Sequence, residues 1–176
     1  MDAEEAEALV QRLREQRLTT MSLADQVKED RWREPVLPGE WSLHGLLSHV
    51  LAWDEWAIAV FEISLIRDLP PALQRAIDEV DGFNARAKDR YRGISRDDML
   101  SALQAANPRL IGSARASGGT QWFDRKIDGL LFLSNTEKNH VPSVSEILRL
   151  LRRHESVHSQ EIATTFSIAP QALQEE

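Results

Sequence analysis

The sequence predicts an all-α fold, a four-helix bundle with a short extra helical segment between the second and third main helices. Apolar residues recur at helical spacing in four long stretches, and three of those stretches open on a serine that can cap a helix. No stretch sustains the alternation of a half-buried strand, and no internal repeat or low-complexity segment interrupts the pattern. The chain of 176 residues, 42% of them hydrophobic, is long enough to bury one core. One domain is therefore expected over residues 1–168, with 169–176 as a frayed C-terminal tail.

The first helix opens on acids that suit a helix N-terminus and carries Ala6, Leu9, Val10, Leu13, Ala24 and Val27 on one period, ending before Pro35. Ser42 can cap the second, whose broad apolar face (Leu43, Leu46, Leu47, Val50, Leu51, Trp53, Ile58 and Phe61) runs to about Asp68, where Pro70-Pro71 stops it. Residues 71–92 read as the extra helical segment, with Leu73, Ile77, Val80, Phe83 and Ala87 inward and breaks near Gly82 and Gly93. Ser95 and Asp98 resemble a capping box ahead of the third main helix, which Pro108 is expected to kink. A long connection follows, rich in Gly and Asn (Gly118-Gly119, Gly129, Asn135, Asn139) around the apolar run Leu130–Leu133. The last helix is the best marked: Ser143 and Glu146 form a capping box, Ile147, Leu150, Leu151, His154, His158 and Ile162 share one stripe, and the end falls near Phe166.

Composition narrows the function. A net charge of −7, with no basic cluster long enough to reverse it locally, disfavours nucleic acid as a partner. With no cysteine, disulfides and thiolate ligands are excluded, and any thiol chemistry needs a thiol from outside. The acidic N-terminus does not read as a signal peptide, and no stretch approaches the roughly 18 apolar residues of a membrane span. A cytoplasmic protein without a membrane partner is expected.

Three histidines carry the chemistry. His154 and His158 stand four apart on the last helix, so both imidazoles leave the same face about 6 Å apart along the axis and can grip one ion. The run His154-Glu155-Ser156-Val157-His158 matches the H-E-x-x-H pattern of zinc proteases, in which the glutamate is the general base. Such a protease needs a third ligand downstream, where no histidine follows and only Glu161, Glu175 and Glu176 remain. The third ligand is better sought upstream at His49, on the core-facing side of the second helix among Leu46, Val50 and Trp53. Three imidazoles from facing helices leave an open position for water or substrate.

A long first helix, then Gly39-Glu40-Trp41-Ser42 leading into a helix with His49 and Trp53, and a C-terminal H-x-x-x-H helix together resemble the DinB-like superfamily. Val80-Asp81-Gly82-Phe83-Asn84 is also similar to segments of its members. The superfamily includes the damage-inducible, mycothiol-dependent maleylpyruvate isomerase-like and colibactin-resistance-like branches. The resemblance implies a four-helix bundle of DinB-like type holding a metal through one histidine of the second helix and two of the last, here His49, His154 and His158. It also implies thiol-dependent transfer, isomerisation or detoxifying hydrolysis of a small molecule, without choosing among them, and makes a homodimer an expectation although no interface patch is marked.

On this reading zinc or nickel, held by the three histidines, activates water or a low-molecular-weight thiol. The alternatives are a non-catalytic helical module binding metal or a small molecule and, more weakly, the H-E-x-x-H protease. Glu161, three residues beyond His158, is the candidate catalytic residue, as base, fourth ligand or acceptor of a ligand N–H, with a plain salt bridge as the bland reading. Trp53 is expected to line a pocket and Trp56 to sit in the core. Glu155 is expected to point off the ligand face into solvent, His44 and His140 to lie at the surface, and Arg149, Arg152 and Arg153 to form a solvated charge run. Trp122 and Phe123 either close over the site or pack on the bundle.

Overall fold

The computed structural model describes residues 2–132 and 140–169; Leu133, Asn135, Asn139, Glu175 and Glu176 lie outside the described residues. The four main helices are α1 (Ala3–Asp25), α2 (Leu43–Ile63), α5 (Arg96–Ala116) and α6 (Val144–Phe166), with α3 (Pro71–Asp78) and α4 (Val80–Arg90) between the second and third. Among the described residues only isolated bridges, no strands, accompany them. α1 packs against α6 and α5, and α2 against α5 and α6, so the ring order is α1, α6, α2, α5, while α4 lies on α2.

The helix starts follow their caps. Asp2 and Glu5 close a capping box on α1, and Ser143 and Glu146 close the one expected on α6. Ser42 accepts the Gly45 N–H at the start of α2. Ser95 takes the Asp98 N–H, but the shorter Asp98 side chain accepts the Ser95 hydroxyl at 2.6 Å, so the reciprocal half of that box does not form. α6 ends as expected at Phe166, with Ser167 in the left-handed region.

Several boundaries differ from expectation. α1 stops at Asp25 and α2 at Ile63, short of Pro35 and Asp68. The extra segment is two helices broken at Glu79, with Gly82 inside α4 and Val80 exposed, because the turn between α3 and α4 is made by the non-helical backbone of Glu79 rather than by a glycine. α5 runs continuously through Pro108.

The buried apolar residues form two clusters. One joins the start of α1 (Ala6 to Leu13), the ends of α2 and α5, and the start of α6, and it takes in Trp122, Phe123, Ile127 and Leu130 from the long connection. The other joins the end of α1, the starts of α2 and α5, and Ile162 near the end of α6. α1 and α6 thus run one way and α2 and α5 the other. Trp122 and Phe123 are core residues, which settles their reading in favour of packing.

Candidate metal centre

Between the two apolar clusters the bundle carries a polar layer. Arg17 of α1 donates from Nη2 to Asp54 of α2 at 2.6 Å, from Nε to Glu155 of α6 at 2.7 Å, and from Nη1 to the Leu103 carbonyl of α5 at 2.7 Å. One guanidinium therefore ties all four main helices. Burial alone would pull the Arg17 pKa down, but the two carboxylates outweigh it and hold the group charged. Burial pushes the Asp54 carboxyl up to about 6, against the pull of Arg17 and with a further push from Glu155. Glu155 is only 4% exposed, so the solvated position expected for it is wrong: it turns away from the histidines because Arg17 needs its charge.

On the flank of this layer His49, His154 and His158 bring ligand atoms within 4.8 Å of one another. The Nε2 atoms of His49 and His154, 105 positions apart in sequence, are 2.7 Å apart, and those of His154 and His158 are 3.0 Å apart. Second partners fix two of the rings. Asn84 of α4 accepts the Trp53 indole N–H at 3.3 Å, and since that nitrogen can only donate, the same Asn84 oxygen must also accept from His49 Nδ1, 2.8 Å away. Glu161 accepts from His158 Nδ1 at 2.7 Å. With Nδ1 engaged from outside, both rings turn Nε2 toward Nε2 of His154.

That donor set fits a divalent cation. Zn–N bonds of about 2.0–2.1 Å place tetrahedral nitrogens about 3.3 Å apart, within about 0.6 Å of the two separations here. Burial holds His49 down to about 4, with His158 and Lys88 adding to it and the Asn84 bond opposing it. Burial, then the charges of His158 and His49, hold His154 down to about 3. Both rings are thus neutral near pH 7, the form that ligates metal.

The histidines floor a cavity of about 630 Å³ whose other lining is largely apolar, including Trp41, Trp53, Trp56, Ile77, Phe132 and Leu151. Trp53 is among the lining residues, its ring centroid 4.6 Å from that of Phe83 and the two rings tilted at 50°. Trp56, 4% exposed, is both core and lining, and donates to the Leu73 carbonyl. Trp41 reaches His49, at 5.4 Å between ring centroids, from a tight turn closed by the Leu37 N–H on the Trp41 carbonyl. Gly39, at a φ of 71°, takes the turn's left-handed position without the steric cost a larger side chain would meet there. Glu161 is the only carboxylate among the described lining residues.

His44 is buried, not superficial: its ring meets the Ile94 carbonyl at 3.2 Å, and burial, with Arg33 close by, lowers its pKa. His140 is partly exposed and pairs with Glu146 outside the cavity lining. Arg149 and Arg153 are exposed and Arg152 half-buried, and none of the three lines the cavity. No motif in the sequence marks Asn84, Arg17 or Asp54 as a site residue. For Arg17 and Asp54 a signal existed, since each continues an apolar stripe (Leu13 to Ala24, and Val50 to Phe61) as a charge at a core position.

Residues 13–129 match the family model described as the mycothiol maleylpyruvate isomerase N-terminal domain. That range includes His49 and ends before α6. Two similar solved structures are crystal structures of the mycothiol-dependent maleylpyruvate isomerase, one of them a histidine-to-alanine mutant. Each has a TM-score of 0.66, at 15% and 14% identity, over 89% of this chain. At such identities the likeness is one of fold, and this chain spans 60% of the length of those structures. No curated protein matches.

Proposed function

The chain belongs to the mycothiol maleylpyruvate isomerase N-terminal domain family, within the DinB-like superfamily, and from that premise we propose that it is a metal-dependent enzyme acting on a small molecule with an external thiol. The observation that carries the reading is the convergence of three Nε2 atoms on the floor of a tryptophan-lined cavity, two of the rings locked from behind by Asn84 and Glu161. His49, His154 and His158 would hold zinc or nickel. When bound, such a cation supplies Lewis-acid activation of a thiol or water at neutral pH. The chain's own residues do the rest. Asn84 and Glu161 keep the Nδ1 hydrogens in place so that the lone pairs face inward. Trp41, Trp53 and Phe132 exclude water from the substrate space. Glu161, as the carboxylate lining that space, is the residue positioned to take up a proton there.

Glu155 does not line the cavity and is held by Arg17, which removes the base that the protease alternative requires. A homodimer and a cytoplasmic location remain part of the proposal. Among the described residues no helix is long and apolar enough to cross a membrane.

Cobalt-loaded protein tests the reading. Adding a low-molecular-weight thiol is expected to give a sulfur-to-cobalt charge-transfer band, and the zinc form is expected to turn over maleylpyruvate or a related small electrophile only with thiol present. Cobalt binding with neither a thiol band nor turnover would favour the non-catalytic binding module.

A further inference from the structure

α1 carries none of the three histidines and, among the described residues, lines no part of their cavity, yet it grips both helices that do. Arg17 forks onto Glu155, with Nε donating to one carboxylate oxygen at 2.7 Å and Nη2 to the other at 3.2 Å, while Nη2 also donates to Asp54 at 2.6 Å. Glu155 directly follows His154 on α6, and Asp54 stands five residues after His49 on α2. One turn beyond Glu155, Ser159 accepts from the Gln16 amide at 2.8 Å and lies 2.8 Å from the Thr20 hydroxyl, both again on α1. Glu155 and Ser159, each 4% exposed, thus form a buried stripe on α6, about 100° around the helix from the stripe of His154 and His158.

This arrangement bears on the histidines through geometry. A bidentate guanidinium–carboxylate pair is planar and directional, so it fixes the rotation of α6 about its axis as well as its distance from α1. Side-chain atoms stand about 6 Å from a helix axis, so a turn of about 10° would carry an imidazole through about 1 Å. A metal site tolerates a displacement of only about 0.5 Å in its donors. The same guanidinium holds Asp54, and with it the helix that presents His49.

We propose that Arg17 is a positioning residue for the metal centre: through Glu155 and Asp54 it sets the rotation of α6 and its seat against α2, and hence the spacing of His154 and His158 from His49. This is distinct from its part in stability. An apolar set of similar volume can replace the stabilisation of a buried ion network, but it carries no directional bonds. The inference rests on the reading that the three histidines hold a metal.

The test reads zinc affinity, by competition with a chromophoric chelator, and the visible spectrum of the cobalt form. It uses the full chain as wild type, as Arg17→Lys, which keeps the charge without the fork, and as the triple variant Arg17→Met, Asp54→Leu, Glu155→Leu, which keeps the packing without either. Both variants, at a temperature where circular dichroism shows them folded, are expected to bind zinc about tenfold more weakly and to displace the cobalt ligand-field bands. Wild-type affinity in either folded variant would overturn the proposal, so Arg17→Lys decides alone should the triple variant fail to fold, and the reverse. Weaker zinc binding with an unchanged cobalt spectrum would assign the loss to charge rather than position and overturn it too. A wild type that takes up neither metal would overturn it together with the metal reading, whereas tight wild-type binding that the variants leave unmoved would overturn this inference alone.

Discussion

Replacing Arg17 with methionine keeps most of the side-chain volume but leaves two buried carboxylates without their cation. Arg17, Asp54 and Glu155 are 3%, 3% and 4% exposed, so water cannot take over. Three of the guanidinium's four hydrogen bonds go to those carboxylates and the fourth to the Leu103 carbonyl. Breaking a buried pair from one side costs about 3–5 kcal/mol. Asp54 can relieve part of this by taking up a proton, because its carboxyl already sits near 6. The lower end, about 3 kcal/mol, is therefore expected near pH 7, which for a domain of this size is a fall in Tm of roughly 6–12 °C. Urea unfolding followed by far-UV circular dichroism measures it. The triple variant Arg17→Met, Asp54→Leu, Glu155→Leu should recover to within about 1 kcal/mol of wild type, since an apolar set of similar volume replaces the whole network. A loss below about 1 kcal/mol in Arg17→Met, or a triple variant no better than the single, would refute the reasoning.

The other predictions concern the same layer and its surroundings. Asp54 has a folded pKa of about 6 against an ordinary 3.8, so the folded state binds more protons between those values, and this contribution to stability is present below about 3.8 and lost as pH rises through 6. Asp54→Asn lacks that dependence. Its stability relative to wild type, from urea unfolding at pH 4.5 and 7.5, should therefore improve by about 1–3 kcal/mol at the higher pH, and a difference that does not move with pH contradicts the assignment. Asn84→Ala should weaken zinc binding by about 10–100-fold with unchanged helicity, because His49 loses the acceptor that fixes its ring; unchanged affinity would remove Asn84 from the centre. Gly118→Ala should cost about 1–3 kcal/mol in thermal unfolding, since a Cβ there would lie 2.7 Å from the Trp122 backbone, and a neutral result would show that the segment shifts freely.

The four main helices and their caps were legible in the sequence because capping and apolar periodicity are local: Ser42, Ser143 with Glu146, and the stripe from Ile147 to Ile162 each declare themselves within a few residues. The convergence of His49 with His154 and His158 could be read because all three interrupt core-facing stripes. The fate of Glu155 could not, since its environment is set by Arg17, 138 positions away, and by Asp54 on a third helix. Local spacing cannot say whether an acid on a stripe is solvated or neutralised by a partner. Asn84 was hidden for a related reason: its role depends on α4 folding back over α2, which the break at Glu79 allows and no motif announces. His44 departs from its expected surface position because the segment around Ile94, distant in sequence, covers the first turn of α2.

The central claim is that two helices, contributing residues 105 positions apart, hold one divalent cation between them. Zinc content after equilibrium dialysis, measured on tag-free wild type and on His49→Ala, His154→Ala and His158→Ala, tests it most directly. One equivalent in wild type and a large loss in all three variants, His49→Ala included, is the predicted result. Stoichiometric zinc that survives His49→Ala, or a wild type that takes up none, would contradict it.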